Sequence, residues 1–143
     1  MKYYSFEELK EGVSESFNVT VTEEMLEAFR RMSGDENPLH CDAEYAKESG
    51  FPDRVVYGML TASFYSTLAG VYLPGERCLL QEVNSRFRAP VFVGDTLTVE
   101  GTVKERHEGF QRIRITATIR NQEGKKVSTA EIWASIRPKE GPA

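Results

Sequence analysis

Cysteine and histidine are both scarce in this chain of 143 residues, with two of each, and there is a single tryptophan. Cys41 and Cys78 stand far apart with no metal-type spacing. Neither a zinc site nor a disulfide framework is therefore expected, and both read as reduced thiols of a cytoplasmic protein. A basic excess is missing as well. The 18 Lys and Arg residues against 22 Asp and Glu leave a formal net charge of -4, which argues against a nucleic-acid partner; Arg86-Phe87-Arg88 is one local basic patch. No apolar run approaches the ~20 residues of a membrane span. The amino terminus, Met1-Lys2-Tyr3-Tyr4-Ser5-Phe6-Glu7-Glu8, has no apolar core of signal-peptide length. No internal repeat, low-complexity tract or linker is present. What remains is the composition of a soluble globular protein, 40% hydrophobic and 28% charged. It is expected to form one domain over residues 1–143 and to bury roughly 70% of its unfolded surface.

Taken in order, residues 1–13 read as a polar lead-in with a turn near Glu11-Gly12. Residues 16–21 alternate as a strand. Thr22 then caps a helix whose first turn carries Glu23 and Glu24, whose apolar stripe is Met25, Leu26, Phe29 and Met32, and which stops at Gly34. A short helix is expected from Asp42 to Glu48. A third runs from Gly58 to Tyr72 and is apolar nearly all round, the pattern of a buried helix. Its many small residues would let strands pack closely against it.

From residue 78 onward the period becomes two. Strands are expected over 78–91, broken near Ala89-Pro90, and over 96–104, 110–120 and 127–137. Turn signals fall at Val93-Gly94-Asp95, Glu108-Gly109 and 121–124. The pattern fits an antiparallel meander with one face on the core, wrapped around the buried helix, which is α+β in class.

The stretch Ser33-Gly34-Asp35-Glu36-Asn37-Pro38-Leu39-His40 is the centre of interest. Pro38 fixes its own φ and keeps Asn37 out of the helical region, so the backbone there is extended or turned. A half-buried Asp and His aimed at one point, Asp35 and His40, are what activation of a water molecule requires. Each alone has an ordinary reading: Asp35 as a turn residue bonded to its own backbone, His40 as a structural histidine. Asn37 reads as a shaper of the loop. His107 lies in a charged hairpin turn and reads as exposed and inert; Cys41 reads as packing.

That block, followed by Asp42, Ala46 and Gly50-Phe51, then Tyr57-Gly58-Met59-Leu60 and the later Phe87-Arg88-Ala89-Pro90-Val91-Phe92-Val93-Gly94-Asp95, resembles the MaoC-like, or (R)-specific enoyl-CoA hydratase, family of hot-dog-fold proteins. The resemblance implies a homodimer with joined sheets and a tunnel for an acyl thioester. It implies reversible addition of water to a trans-2-enoyl-CoA, giving the (R)-3-hydroxyacyl-CoA, with the water held by the residues matching Asp35 and His40. No cofactor is implied beyond the coenzyme A that belongs to the substrate. Ser66, in the buried helix, falls where the family often has a serine near the pair. Tyr57 stands where many members have His, which bears on the thioester pocket, and it either lines that pocket or packs.

The chemistry fits these residues. Addition at C3 needs a deprotonated water and builds negative charge on the thioester oxygen. Asp35 is the natural acceptor of the water proton, with His40 as second holder of the same water. Gly58, at a helix amino end, offers an N–H to the developing oxyanion and lets the thioester approach closely. Two rivals are a hot-dog thioesterase, against which the Asn-Pro-Leu-His block argues, and a non-catalytic acyl-CoA-binding subunit, against which the intact Asp35 and His40 argue.

Overall fold

The computed structural model describes residues 1–139. Helices α1 (Glu23–Ser33), α2 (Pro38–Cys41), α3 (Ala43–Glu48) and α4 (Gly58–Thr67) all fall between strands β1 (Ser14–Thr20) and β2 (Cys78–Phe87). Strands β3 (Thr96–His107), β4 (Arg112–Arg120) and β5 (Lys126–Ile136) follow without further α-helix. All five strands form one antiparallel sheet in the order β1-β3-β4-β5-β2.

Only β3, β4 and β5 are therefore the expected meander. β2 crosses over to the far side of β5, and β1 covers the edge of β3. The period-two alternation decides which face is wet. Leu97, Val99 and Val103 of β3, Ile113, Ile115 and Ile119 of β4, and Ile132 and Ala134 of β5 are fully buried, while their neighbours along each strand are more open.

α4 and the helical segment after it pack against that apolar face. The Tyr65 hydroxyl donates to Ser128 Oγ of β5 at 2.8 Å, satisfying the most buried polar pair of the interior. Gly101 of β3 lets the two layers close. A Cβ there would sit 2.8 Å from Leu68 Cδ2 and 2.9 Å from Ile115 Cγ2. The strand thus contributes a small residue of its own to the close packing, beside the buried Ala69 of the helical segment.

Several boundaries differ from the pattern-based ones, each for a physical reason. The third helix is α-helical only to Thr67, and Leu68–Tyr72 continues as a wider π-turn ending at Leu73. β2 ends at Phe87, because Arg88 and Ala89 turn their N–H groups to the Val127 carbonyl ahead of Pro90. Met32 is exposed, although it extends the stripe of α1 in sequence. α4 is apolar around most of its circumference, yet Met59, Ser63 and Ser66 are exposed in the single chain. The largest correction concerns residues 1–13. Phe6 and Leu9 are core residues, and Ser5 caps a 3₁₀ turn at Phe6–Glu8 reciprocally with Glu8. Lys2 N–H bonds the Val71 carbonyl at 2.8 Å, so this segment is tied to the end of the central helix.

Candidate active site

α1 begins on the Thr22 side chain, which accepts from Met25 N–H, and ends at Gly34 in the left-handed conformation, with φ 74°. The chain then turns sharply. Asp35 Oδ1 accepts the Asn37 N–H at 3.0 Å, and Asn37 Oδ1 accepts the Leu39 N–H at 3.0 Å. The second bond caps α2, whose first residue is Pro38, a position where a missing N–H costs nothing. Four residues that would otherwise form a loose loop become one helical turn, and that turn carries His40.

His40 is held from two sides. Its Nδ1 lies 2.6 Å from the Val55 carbonyl, which can only accept, so Nδ1 carries the proton and neutral His40 keeps a basic lone pair on Nε2. The Val55 N–H returns a bond to the Leu39 carbonyl at 3.1 Å, clasping α2 to the segment that leads into α4. Behind the imidazole lies Tyr57, its ring centroid 4.3 Å away and 30° off parallel. Phe29 of α1 packs on Tyr57 in turn, at 4.7 Å. The Tyr57 hydroxyl donates to the Asp35 main-chain carbonyl at 2.6 Å and lies 3.5 Å from Cys41 Sγ. Burial, the largest cause, together with the Cys41 contact pushes the Tyr57 phenol well above its ordinary range, so it stays a donor.

α4 starts at Gly58 with no side-chain cap. The first N–H groups of a helix have no intrahelical partner and share its positive end. Gly58 and His40 line a common cavity of about 380 Å³, walled mainly by apolar groups including Phe51, Val56, Phe87 and Val91. This is the size and character of a small-molecule site. The Phe87 ring lies so close over Gly58 that a Cβ there would meet it at 3.3 Å.

The residues expected from the sequence separate into three groups. His40 and Gly58 share the cavity. Asp35 and Asn37 are exposed and do not line it, and the described contacts of their side chains are the two turn bonds above. Asp35 is thus more open than the half-buried position expected, and among the described residues the link from it to the imidazole runs from its main-chain carbonyl through Tyr57. Tyr57 and Ser66 stand elsewhere. Tyr57 is 2% exposed and backs His40 instead of lining the cavity. Ser66 is exposed, more than two turns beyond Gly58, and does not line the cavity.

Cys41 is half-buried against Tyr57, as expected of a packing residue, and the exposed His107 bonds Glu105 and packs near Trp133. Sequence reasoning missed Val55, whose side chain gives no hint that its carbonyl fixes a tautomer. It also missed Thr61, a buried polar residue of the cavity wall, legible as the polar position one turn after Gly58 in an apolar helix. Among the described residues no helix is long and apolar enough to cross a membrane.

Comparison with known proteins identifies the family and the fold. The model of the MaoC like domain family matches residues 5–125. The (R)-specific enoyl-CoA hydratase of Rhodospirillum rubrum is 38% identical over 118 residues, 80% of this chain and 81% of the relative. The structure of the (R)-hydratase from Aeromonas caviae involved in PHA biosynthesis superposes with a TM-score of 0.86 at 33% identity, covering 90% of this chain and 97% of that one. R-hydratase PhaJ1 from Pseudomonas aeruginosa, in its unliganded form, gives 0.86 at 32% identity, over 96% and 93% of the two chains. The five-stranded sheet around its helix is the hot-dog fold of those structures, and the chain belongs to the MaoC-like domain family.

Proposed function

We propose that this protein is an (R)-specific enoyl-CoA hydratase, a hydro-lyase that adds water reversibly across the 2,3 double bond of a trans-2-enoyl-CoA. The observation that carries the reading is the fixed tautomer of His40. With Nδ1–H committed to the Val55 carbonyl, Nε2 is the free acceptor of an imidazole that, with Gly58, lines a mainly apolar cavity.

In this reading the water sits between His40 Nε2 and the Asp35 carboxylate. Asp35 takes its proton as the oxygen bonds to C3. The π electrons of the double bond move toward C2 and the thioester carbonyl, and the Gly58 N–H at the start of α4 stabilises the oxyanion. A proton delivered to C2 completes the (R)-3-hydroxyacyl-CoA, so the net reaction consumes one water and no proton. Asn37 acts by shaping the loop.

The working unit in this reading is a homodimer whose sheets join through β2. That strand is a sheet edge, and its Leu79, Leu80, Val83 and Phe87 are exposed, Phe87 to 52%. Among the described residues this edge of β2 has no strand beside it, and an open edge carrying exposed apolar residues is a template for a second copy of the strand.

The test is loss of the enoyl-thioester absorbance of crotonyl-CoA with purified protein, beside Asp35→Asn. The expected result is rapid loss that falls about 10²- to 10⁴-fold in the variant. Silence with crotonyl-CoA and longer enoyl chains overturns the reading; free-thiol release without hydration would point to a thioesterase.

A further inference from the structure

A second cavity, of about 460 Å³, lies on the outer face of the sheet across β2, β5 and β4. Its wall carries Arg86, Arg88 and Lys126 among Thr116, Thr118 and Thr129. A protein of net charge -4 has gathered three cations on one concave surface. Among the described residues none of the three pairs with a carboxylate. Arg88 Nε donates only to Thr129 Oγ1, at 3.2 Å. The one acidic group of the wall, Glu131, is already engaged by Arg114 at 2.9 Å. The hydroxyls of the three threonines add donors suited to an anion's oxygens.

Arg88 also belongs to the wall of the His40 cavity. It follows directly after β2, where its N–H is fixed on the Val127 carbonyl at 2.8 Å. The mainly apolar cavity with the imidazole and the basic cavity therefore adjoin at one residue. A molecule that occupies both has an apolar end and a polyanionic end.

Resting on the hydratase reading, we infer that the Arg86–Arg88–Lys126 cavity is the binding site for the phosphorylated nucleotide end of coenzyme A. A carrier-protein thioester shares the pantetheine phosphate but lacks the 3′-phosphorylated adenosine. The three clustered cations match the several phosphate charges of the nucleotide, so the chain selects the free CoA ester. Guanidinium groups donate to phosphate oxygens in a bidentate fork, and Lys126 supplies a point charge beside them.

The experiment compares crotonyl-CoA, crotonyl-pantetheine and crotonyl-acyl carrier protein as substrates of wild type, Arg86→Ala, Lys126→Ala and the double variant. Both substituted side chains are exposed and bond nothing in the core, so the melting temperature stays within about 1 °C of wild type. We expect KM for crotonyl-CoA to rise about fivefold for each cation removed, with kcat unchanged. That loss fades as ionic strength rises. Crotonyl-pantetheine turns over with the high KM of the double variant, and the substitutions leave it unaffected.

Equal losses on crotonyl-CoA and crotonyl-pantetheine overturn the site, as does an unchanged KM for crotonyl-CoA. Preference for the carrier-protein substrate overturns the choice of CoA. Calorimetric titration with adenosine 3′,5′-bisphosphate reads the site without turnover. Saturable binding to wild type that the double variant loses upholds it even in a protein that hydrates nothing, in which case the hydratase reading alone fails. No binding to wild type overturns the site.

Discussion

Replacing Tyr57 by Phe removes one oxygen from the back of the proposed site and leaves its packing in place. The oxygen donates to the Asp35 carbonyl at 2.6 Å and touches Cys41 Sγ at 3.5 Å. The ring contacts with His40 at 4.3 Å and Phe29 at 4.7 Å survive in phenylalanine. A buried neutral hydrogen bond is worth about 1 kcal/mol net, rising to about 3 kcal/mol when its partner is left without water. Asp35 lies in an exposed turn, so water can reach its carbonyl and the lower end applies. A loss of about 1 kcal/mol, read as a fall in melting temperature of roughly 2–6 °C, is expected for a chain of this size.

The kinetic effect is expected to be larger than the thermal one. The hydroxyl is the tie between the Asp35 backbone and the residue on which His40 rests, and a misplacement of about 1 Å can cost 10²-fold in rate. We therefore expect kcat for crotonyl-CoA hydration to fall between about 10- and 100-fold with KM within about twofold. A fall in melting temperature with kcat intact would make the hydroxyl merely structural and refute the reasoning. A rise in KM alone would restore Tyr57 to contact with substrate.

Other consequences can be checked in parallel. Burial raises the Tyr65 phenol from 10.0 to about 12 and the Cys78 thiol from 9.0 to about 11. Both groups hold their protons more tightly folded than unfolded. Their contribution is complete below about pH 9 and is lost as pH climbs toward 12, at about 3 kcal/mol for Tyr65. Urea midpoints measured at pH 9, 10 and 11 should fall, and a flat or rising series would contradict the assignment. Gly101→Ala places a methyl against Leu68 and Ile115 and should cost about 1–3 kcal/mol by urea titration; a neutral outcome would mean that the layers are not held as close as described. Gly58→Ala should leave stability near wild type but reduce kcat, because its methyl must displace the Phe87 ring beside the proposed oxyanion donor; full activity would remove Gly58 N–H from the mechanism. Val83→Lys on the open edge of β2 should halve the mass seen by light scattering, and a dimer that persists would place the interface elsewhere.

What the sequence disclosed depended on whether periodicity or three-dimensional closure did the deciding. β3, β4 and β5 were legible because a half-buried strand must alternate, and the caps of α1 were legible because Thr22 and Gly34 solve a local problem. The loop carrying His40 was legible as a motif, but its conformation was less so. Pro38 argued against helix, yet at the first position of a turn capped by Asn37 it is compatible with one. Phe6 and Leu9 form no periodic run, since a 3₁₀ turn this short has no second repeat, so their burial could not be inferred locally. Neither the crossover of β2 nor the bond from His40 to the Val55 carbonyl is written in side-chain chemistry. One is a choice of edge, and the other uses a main-chain atom that every residue possesses.

The reading of the third helix, Gly58 to Tyr72, as apolar nearly all round and buried is instructive in a different way. The single chain buries Leu60, Thr61 and Tyr65 but leaves Met59 at 65% exposure. An all-round apolar helix is expected to be buried all round, and one sheet can cover only one of its faces. The same imbalance recurs on β2, whose exposed apolar residues occupy an unpaired edge. The exposed Met59 of α4 and the exposed apolar residues of β2 are accounted for together if both are covered by a second copy. In that case the sequence was reporting the burial of the proposed dimer, and the mismatch between pattern and protomer is itself an argument for that assembly.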